Sequence, residues 1–199
     1  MSCALGEFES LAKKAIRGAG YSWGLAEDGA RAARSVASLG LPADELLATL
    51  LRQTDGQAYC VLQPGNALCC PLCLGPSLCD LPPTGETTVQ NVATPLLLAP
   101  FLQNSLTNQT DGFYLSWPGA SLHIAANGIT ATGTTLLCDL AEITIAPRTA
   151  TIAVPKRASR ITMDARAEQT LLALAHRTYA PATEESRLAG AGAGLSDND

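Results

Sequence analysis

Leu5, Phe8, Leu11, Ala12, Ala15 and Ile16 recur at spacings of three and four, with Glu7, Glu9, Lys13 and Lys14 between them. That period gathers the apolar residues into one stripe of a helix. Gly18 and Gly20 predict its end, because glycine takes up the left-handed conformation after a helix without strain. A second helix is expected over residues 22–39, with Leu25, Ala26, Ala33, Val36 and Ala37 turned inward and Gly40 stopping it. Pro42 suits the first turn of a third helix, where Asp44 and Glu45 complement the helix dipole. Leu46, Leu47, Leu50 and Leu51 supply its buried side.

The pattern changes after Asp55. Residues 56–100 hold seven prolines, which disfavour long helices. Residues 59–62 read as a short strand, 82–86 as a turn, and 95–106 as a short helix with Pro95 in its first turn. From residue 111 alternation of period two takes over. GFYLSW (112–117) and SLHIAANGITATG (121–133) are separated by Pro118-Gly119, and Asn127-Gly128 predicts a hairpin within the second segment. AEITIAP (141–147), TIAV (151–154) and SRITMD (159–164) are expected to extend the sheet, antiparallel because the turns are short. A last helix begins near Asp164, turns Leu171, Leu174 and Ala175 inward, and runs until Pro181.

These elements predict one α+β domain over residues 1–199, in which an N-terminal helical segment and a C-terminal helix pack on a mostly antiparallel sheet. Its parts are helical (1–55), Pro/Cys-rich and irregular (56–110), antiparallel strands (111–164), and a helix with a glycine-rich tail (165–199).

Composition narrows the function classes. Hydrophobic residues make up 47 % of the chain and charged residues 16 %, which excludes disorder. A net charge of −5 offers nucleic acid no general attraction. The most apolar stretch, PLLLAPFL (95–102), is too short to span a membrane and holds two prolines. Residues 1–20 lack the apolar core of a secretory signal, so a cytoplasmic protein without membrane contact is expected. Residues 56–138 carry no Lys or Arg, and only the acids Asp80, Glu86 and Asp111. Such a stretch is either covered by the two ends of the chain or part of a subunit interface, and a homo-oligomer is expected.

Four groups of residues carry candidate chemistry. Gly20-Tyr21-Ser22-Trp23-Gly24 matches G-x-S-x-G, the nucleophile elbow, which needs a strand before the serine and a helix after it. Here a helix precedes it, so Ser22 reads as the N-cap of the second helix. Cys60, Cys69, Cys70, Cys73 and Cys79 form a cluster in which Cys70-Pro71-Leu72-Cys73 has C-x-x-C spacing. Cys69, Cys70, Cys73 and Cys79 are the candidate metal ligands; a redox pair and simple core filling are the other readings, and core filling is preferred. With seven cysteines, complete internal pairing is impossible, and thiols are expected. His176, Tyr179 and Glu185 are candidate catalytic groups beside Arg177 and Arg187, which suit an anion. A solvated helix end is the plainer reading of the same residues. Finally, LAGAGAGLSDND (188–199) is a frayed terminus or a tail docked in a groove, across the corner at residues 17–27 in particular.

The segments LAKKAIRGAGYSWGLAEDGARAAR and AHRTYAPATEESRLAGAGAGLSDND resemble a bacterial family known as a domain of unknown function. The RGAGYSWGLAE joint and the RTYxPAxExSRxxGAGAGLxDND tail carry the resemblance, most clearly over residues 7–40 and 174–199. This chain is richer in cysteine around CPLCLG than the family's pattern. The resemblance implies a shared fold unit and no particular activity.

The reading favoured on these grounds is a non-catalytic accessory or binding protein, without cofactor, that binds a partner protein or a small anionic metabolite and acts as an accessory to an enzyme. Arg17, Ser22, Trp23, Arg177 and Arg187 are its candidate binding residues. The alternatives are an enzyme acting on an anionic metabolite through His176, Tyr179 and Glu185, and a cysteine-based metal or redox protein. Convergence of the histidine, arginine, tyrosine and glutamate side chains in one pocket near Ser22 or Trp23 would favour the enzyme.

Overall fold

A computed structural model describes residues 2–57, 68–108, 111–149, 152 and 156–179. Helices and two antiparallel sheets make an α+β fold. Helices α1 (Leu5–Gly18), α2 (Trp23–Ser38) and α3 (Ala43–Thr54) follow the short strand β1 (Ser2–Ala4). Each buries the stripe expected of it: Phe8, Ala12, Ala15 and Ile16 on α1, Ala26, Ala33 and Val36 on α2, and four leucines on α3.

Within the segment expected to be irregular, the described residues 68–108 hold regular elements besides the helix expected near 95–106. They form α4 (Pro71–Asp80), β2 (Thr87–Ala93), a 3-10 turn (Pro95–Leu98) and α5 (Ala99–Asn104). Prolines do not prevent α4 because Pro71 occupies its first turn, where no N–H partner is needed. Burial of Leu72, Cys73 and Leu74 then holds the helix through Pro76.

Strands β3 (Asp111–Trp117), β4 (Ala120–Ala125), β5 (Gly128–Gly133) and β6 (Leu140–Thr149) join β2 in an antiparallel sheet ordered β2-β6-β3-β4-β5. Pro118-Gly119 makes the β3–β4 turn, with Gly119 at φ +83° as its second central residue. The β4–β5 turn is Ala126-Asn127, one residue before the Asn-Gly pair, because Gly128 already pairs with Ala125. Strand β7 (Arg160–Thr162) does not extend this sheet. It pairs with β1 as a separate two-stranded ribbon, bringing the start of the chain beside α6 (Ala165–His176). The helix ends before Pro181, with Arg177 as its C-cap. The expected strands at 59–62 and 151–154 fall wholly or largely outside the described residues.

Packing answers one question raised by the middle of the chain, which lacks Lys and Arg. The 3-10 turn and α5 lie between the helices and the sheet, touching α2 and α3 on one side and β3, β4 and β6 on the other. Leu96, Leu97, Leu98 and Leu102 are fully buried there. Charge is missing from 92–102 because this segment is the core. The apolar inner face of the sheet, from Phe113, Leu115, Leu122, Ile124, Ile143 and Ile145, closes over it.

Candidate functional site

The corner between α1 and α2 is a Schellman motif. Gly20 takes φ +109°, its N–H donates to the Arg17 carbonyl, and the Tyr21 N–H donates to Ile16. Gly20 is therefore the stop signal. Gly18 is the last residue of α1 and serves a different purpose: a Cβ there would lie 1.9 Å from the Leu174 carbonyl oxygen of α6. Its hydrogen side chain lets α1 and α6 touch backbone to backbone.

Ser22 is the N-cap of α2; its Oγ accepts from the Leu25 N–H at 3.3 Å. A helix, not a strand, leads into it, which removes the strained turn a nucleophile elbow requires. Neither histidine joins it: His123 packs edge-on against Tyr114 in the sheet, and His176 against Tyr179 at the end of α6.

Several of the predicted binding residues do meet. The Trp23 ring is 52 % exposed and lies beneath the Arg17 guanidinium at 5.5 Å and the Lys13 ammonium at 5.6 Å. Tyr179, 53 % exposed, lies beneath Lys14 at 5.1 Å, and Lys14 donates to its hydroxyl at 3.3 Å. Such cation–π pairs are favourable at a surface by roughly 0.5–1 kcal/mol. Arg17 also donates to the Tyr21 carbonyl at 2.8 Å, fixing the corner that presents Trp23. Lys13 is paired with Glu27 at 2.5 Å, and this ammonium holds the Glu27 carboxyl below its ordinary pKa.

Arg177 bridges α6 to α3. It grips both Asp55 oxygens, at 2.5 and 2.9 Å, and this pairing holds the Asp55 carboxyl below its ordinary range. It reaches the Gly18 carbonyl as well, at 3.5 Å. Beside it a groove of about 520 Å³ between α3 and α6 presents Arg52, Arg166 and Arg177 around one carboxylate, Asp55. Among the described residues no carboxylate lies within ion-pair distance of Lys14, Arg17, Arg52 or Arg166. The corner and groove are thus cationic on a chain of net charge −5. Lys13, Lys14, Arg52 and Arg166 were missed in the sequence. Their signal was the Lys-Lys pair one turn ahead of Arg17; the arginines carry none until α3 and α6 are placed side by side.

His176, Arg177 and Tyr179 are all exposed, and Arg177 lines the α3–α6 groove, to which Ser22 does not contribute. Glu185, Arg187 and the glycine-rich tail lie outside the described residues.

The cysteine cluster divides along α4. Cys70 is the N-cap and Cys73 lies in the first turn, both 4 % exposed, whereas Cys79 is at the far end of the helix. Cys69 pairs with β2 at a bulge: its N–H donates to Asn91, and Ala93 donates to its carbonyl. The Tyr21 hydroxyl stands 3.2 Å from Cys70 Sγ and 2.9 Å from Thr54 Oγ1, in full burial. A hydrogen bond from the Cys73 side chain, helped by Tyr21, brings the Cys70 thiol down to about 7 against the opposing effect of burial. Burial pushes the Cys69 and Cys79 thiols up. The six described cysteines are all thiols, and no three metal-ligating side chains gather among the described residues. Cys60 lies outside them.

Residues 3–67, which include α1, α2, α3 and the Schellman corner, match the model of a family described as "Protein of unknown function (DUF3726)". The match contains the first of the two segments on which the family resemblance rests, and the second lies beyond it. No curated protein and no solved structure matches the chain.

Proposed function

We propose that this protein is a non-catalytic binding protein whose α1–α2–α6 corner, continued by the α3–α6 groove, receives an acidic segment of a partner protein. One observation carries the reading: two aromatic rings, each more than half exposed, are flanked by Lys14 and Arg17, which have no carboxylate partner among the described residues. Interface anchors are enriched in Trp, Tyr and Arg, and the cations would steer an acidic partner toward these rings. The exposed placement of His176, Arg177 and Tyr179 favours binding over catalysis, because general acid–base chemistry needs these groups aimed at one enclosed substrate. Self-association fits the same reading, since residues 184–199 of each copy contain Glu184, Glu185, Asp197 and Asp199.

Trp23 reports on the site directly once Trp117 is replaced by Phe. Titration of that variant with a deca-glutamate peptide should change the Trp23 emission, more weakly as salt rises, and Lys14→Glu should abolish the change. A response to inorganic phosphate but not to the peptide would favour the small-anion reading, and no response to either would refute a cationic binding corner.

A further inference from the structure

Cys70 and Cys73 stand apart from the other described cysteines. A cysteine that only fills space sits among carbon atoms, as a small apolar side chain does. Cys70 instead faces the buried hydroxyl of Tyr21, which reaches it from the α1–α2 corner. Proton accounting makes this contact informative. Thr54 spends its own hydroxyl proton on the Leu50 carbonyl, 2.8 Å away, so toward Tyr21 it acts as an acceptor. Tyr21 has one proton to give. While Cys70 is a thiol, that proton goes to Thr54. When Cys70 ionises, it can turn to the sulfur, to which the Cys73 thiol donates as well. No formed cap bond ties the Cys70 sulfur to the backbone, but the Cys73 and Leu72 amides of the first helical turn add their dipoles. The two thiols lie one helical turn apart, with a hydroxyl donor beside one of them.

We propose that Cys70 and Cys73 are a reversible dithiol–disulfide couple oxidised by a small hydroperoxide, Cys70 attacking and Cys73 resolving. The class of oxidant follows from burial, since a sulfur 4 % exposed admits a molecule near the size of water far better than a protein disulfide. In the first step the Cys70 thiolate attacks one peroxide oxygen. An S–O bond forms, the O–O bond breaks, and the departing alkoxide (hydroxide, for hydrogen peroxide) is protonated. In the second step the Cys73 sulfur attacks the sulfenic sulfur. The S–S bond forms, the S–O bond breaks, and the oxygen leaves as water with the thiol's proton. Two thiols and one peroxide thus give one disulfide, one alcohol and one water. A small dithiol reverses the change. The inference is independent of the binding corner proposed above.

The test treats the full chain carrying Cys69→Ser with one equivalent of hydrogen peroxide at pH 7, alkylates the remaining thiols in denaturant, and maps them by mass spectrometry. A Cys70–Cys73 disulfide that dithiothreitol reverses is expected, and in Cys73→Ser a sulfenic acid on Cys70 that dimedone traps. Tyr21→Phe should slow the reaction about fivefold at pH 7 and move its pH profile upward, since one donor to the thiolate is lost. Thr54→Val, which leaves the sulfur as the tyrosine's acceptor, should not slow it. Oxidation that falls equally on Cys79 and Cys138, a disulfide from Cys70 to Cys60, or a Cys70 rate no faster than in urea would each overturn the proposal.

Discussion

Replacing Gly18 by alanine separates two explanations of that glycine by the sign of the effect. Gly18 is helical, so by local propensity alone alanine would stabilise the protein by roughly 0.5–1 kcal/mol. The tertiary contact predicts the opposite. The new Cβ would meet the Leu174 carbonyl oxygen at 1.9 Å and its carbon at 2.7 Å. An ordinary C···O approach is about 3.3 Å, so α1 and α6 would have to part by more than ~1 Å. Both obstacles are backbone, so no rotamer change relieves them. Overpacking of this kind costs about 1–3 kcal/mol, and backbone rigidity places the cost toward the upper end. After the propensity gain the net loss is ~2 kcal/mol, a fall of roughly 4–8 °C in Tm for a chain of this size. Urea unfolding followed by far-UV circular dichroism should show a lower midpoint with an unchanged slope. Gly24→Ala is the control: a Cβ there meets nothing within 4 Å, and the variant should be at least as stable as the parent. A Gly18→Ala protein melting at or above the parent temperature would refute the close-contact argument.

Other substitutions test other parts of the structure. Ser22→Ala should lower stability by about 0.5–1 kcal/mol in urea titration, since a 3.3 Å cap bond is at the weak end of its kind, and Ser22→Asp should restore it. Asp55→Asn should flatten the acid limb of the stability profile. The folded carboxyl titrates below its ordinary value of about 3.9, so its contribution is complete above that pH and is lost as pH falls through the lowered value. The pair is well exposed, at 52 % and 34 %, so the effect should stay within ~1 kcal/mol and shrink in salt. Leu97→Ala, at a fully buried position between helices and sheet, should cost about 2–5 kcal/mol by thermal melt, and a loss below ~1 kcal/mol would show that the segment is not the core.

How much of this was readable from the chain differs from element to element. The stripes of α1, α2 and α3 were legible because a half-buried helix must repeat its apolar residues every three to four positions, and the alternation of β3 to β6 was legible for the corresponding reason. Ser22 as a cap was legible because capping is chemistry within four residues. By contrast α4 was hidden: proline was read as a helix breaker, whereas Pro71 begins the helix and tertiary burial carries it past Pro76. Strand β2 was hidden because TTVQNVA has no clean alternation, and its bulge at Asn91, at φ 54°, exists to pair with Cys69. The destination of SRITMD was hidden for a simpler reason, since a strand's own residues do not say which sheet it joins.

The sequence by itself determined the α+β class, the positions of the main helices and hairpins, and the capped glycine corner, all of which depend on interactions between near neighbours. Only the tertiary structure decided why Gly18 must be glycine, which cations surround Trp23 and Tyr179, and that Tyr21 reaches Cys70 from 49 positions away. Those are properties of surfaces brought together by burial. Burial depends on the summed apolar area of the whole chain, so no short stretch records which distant partner it will meet.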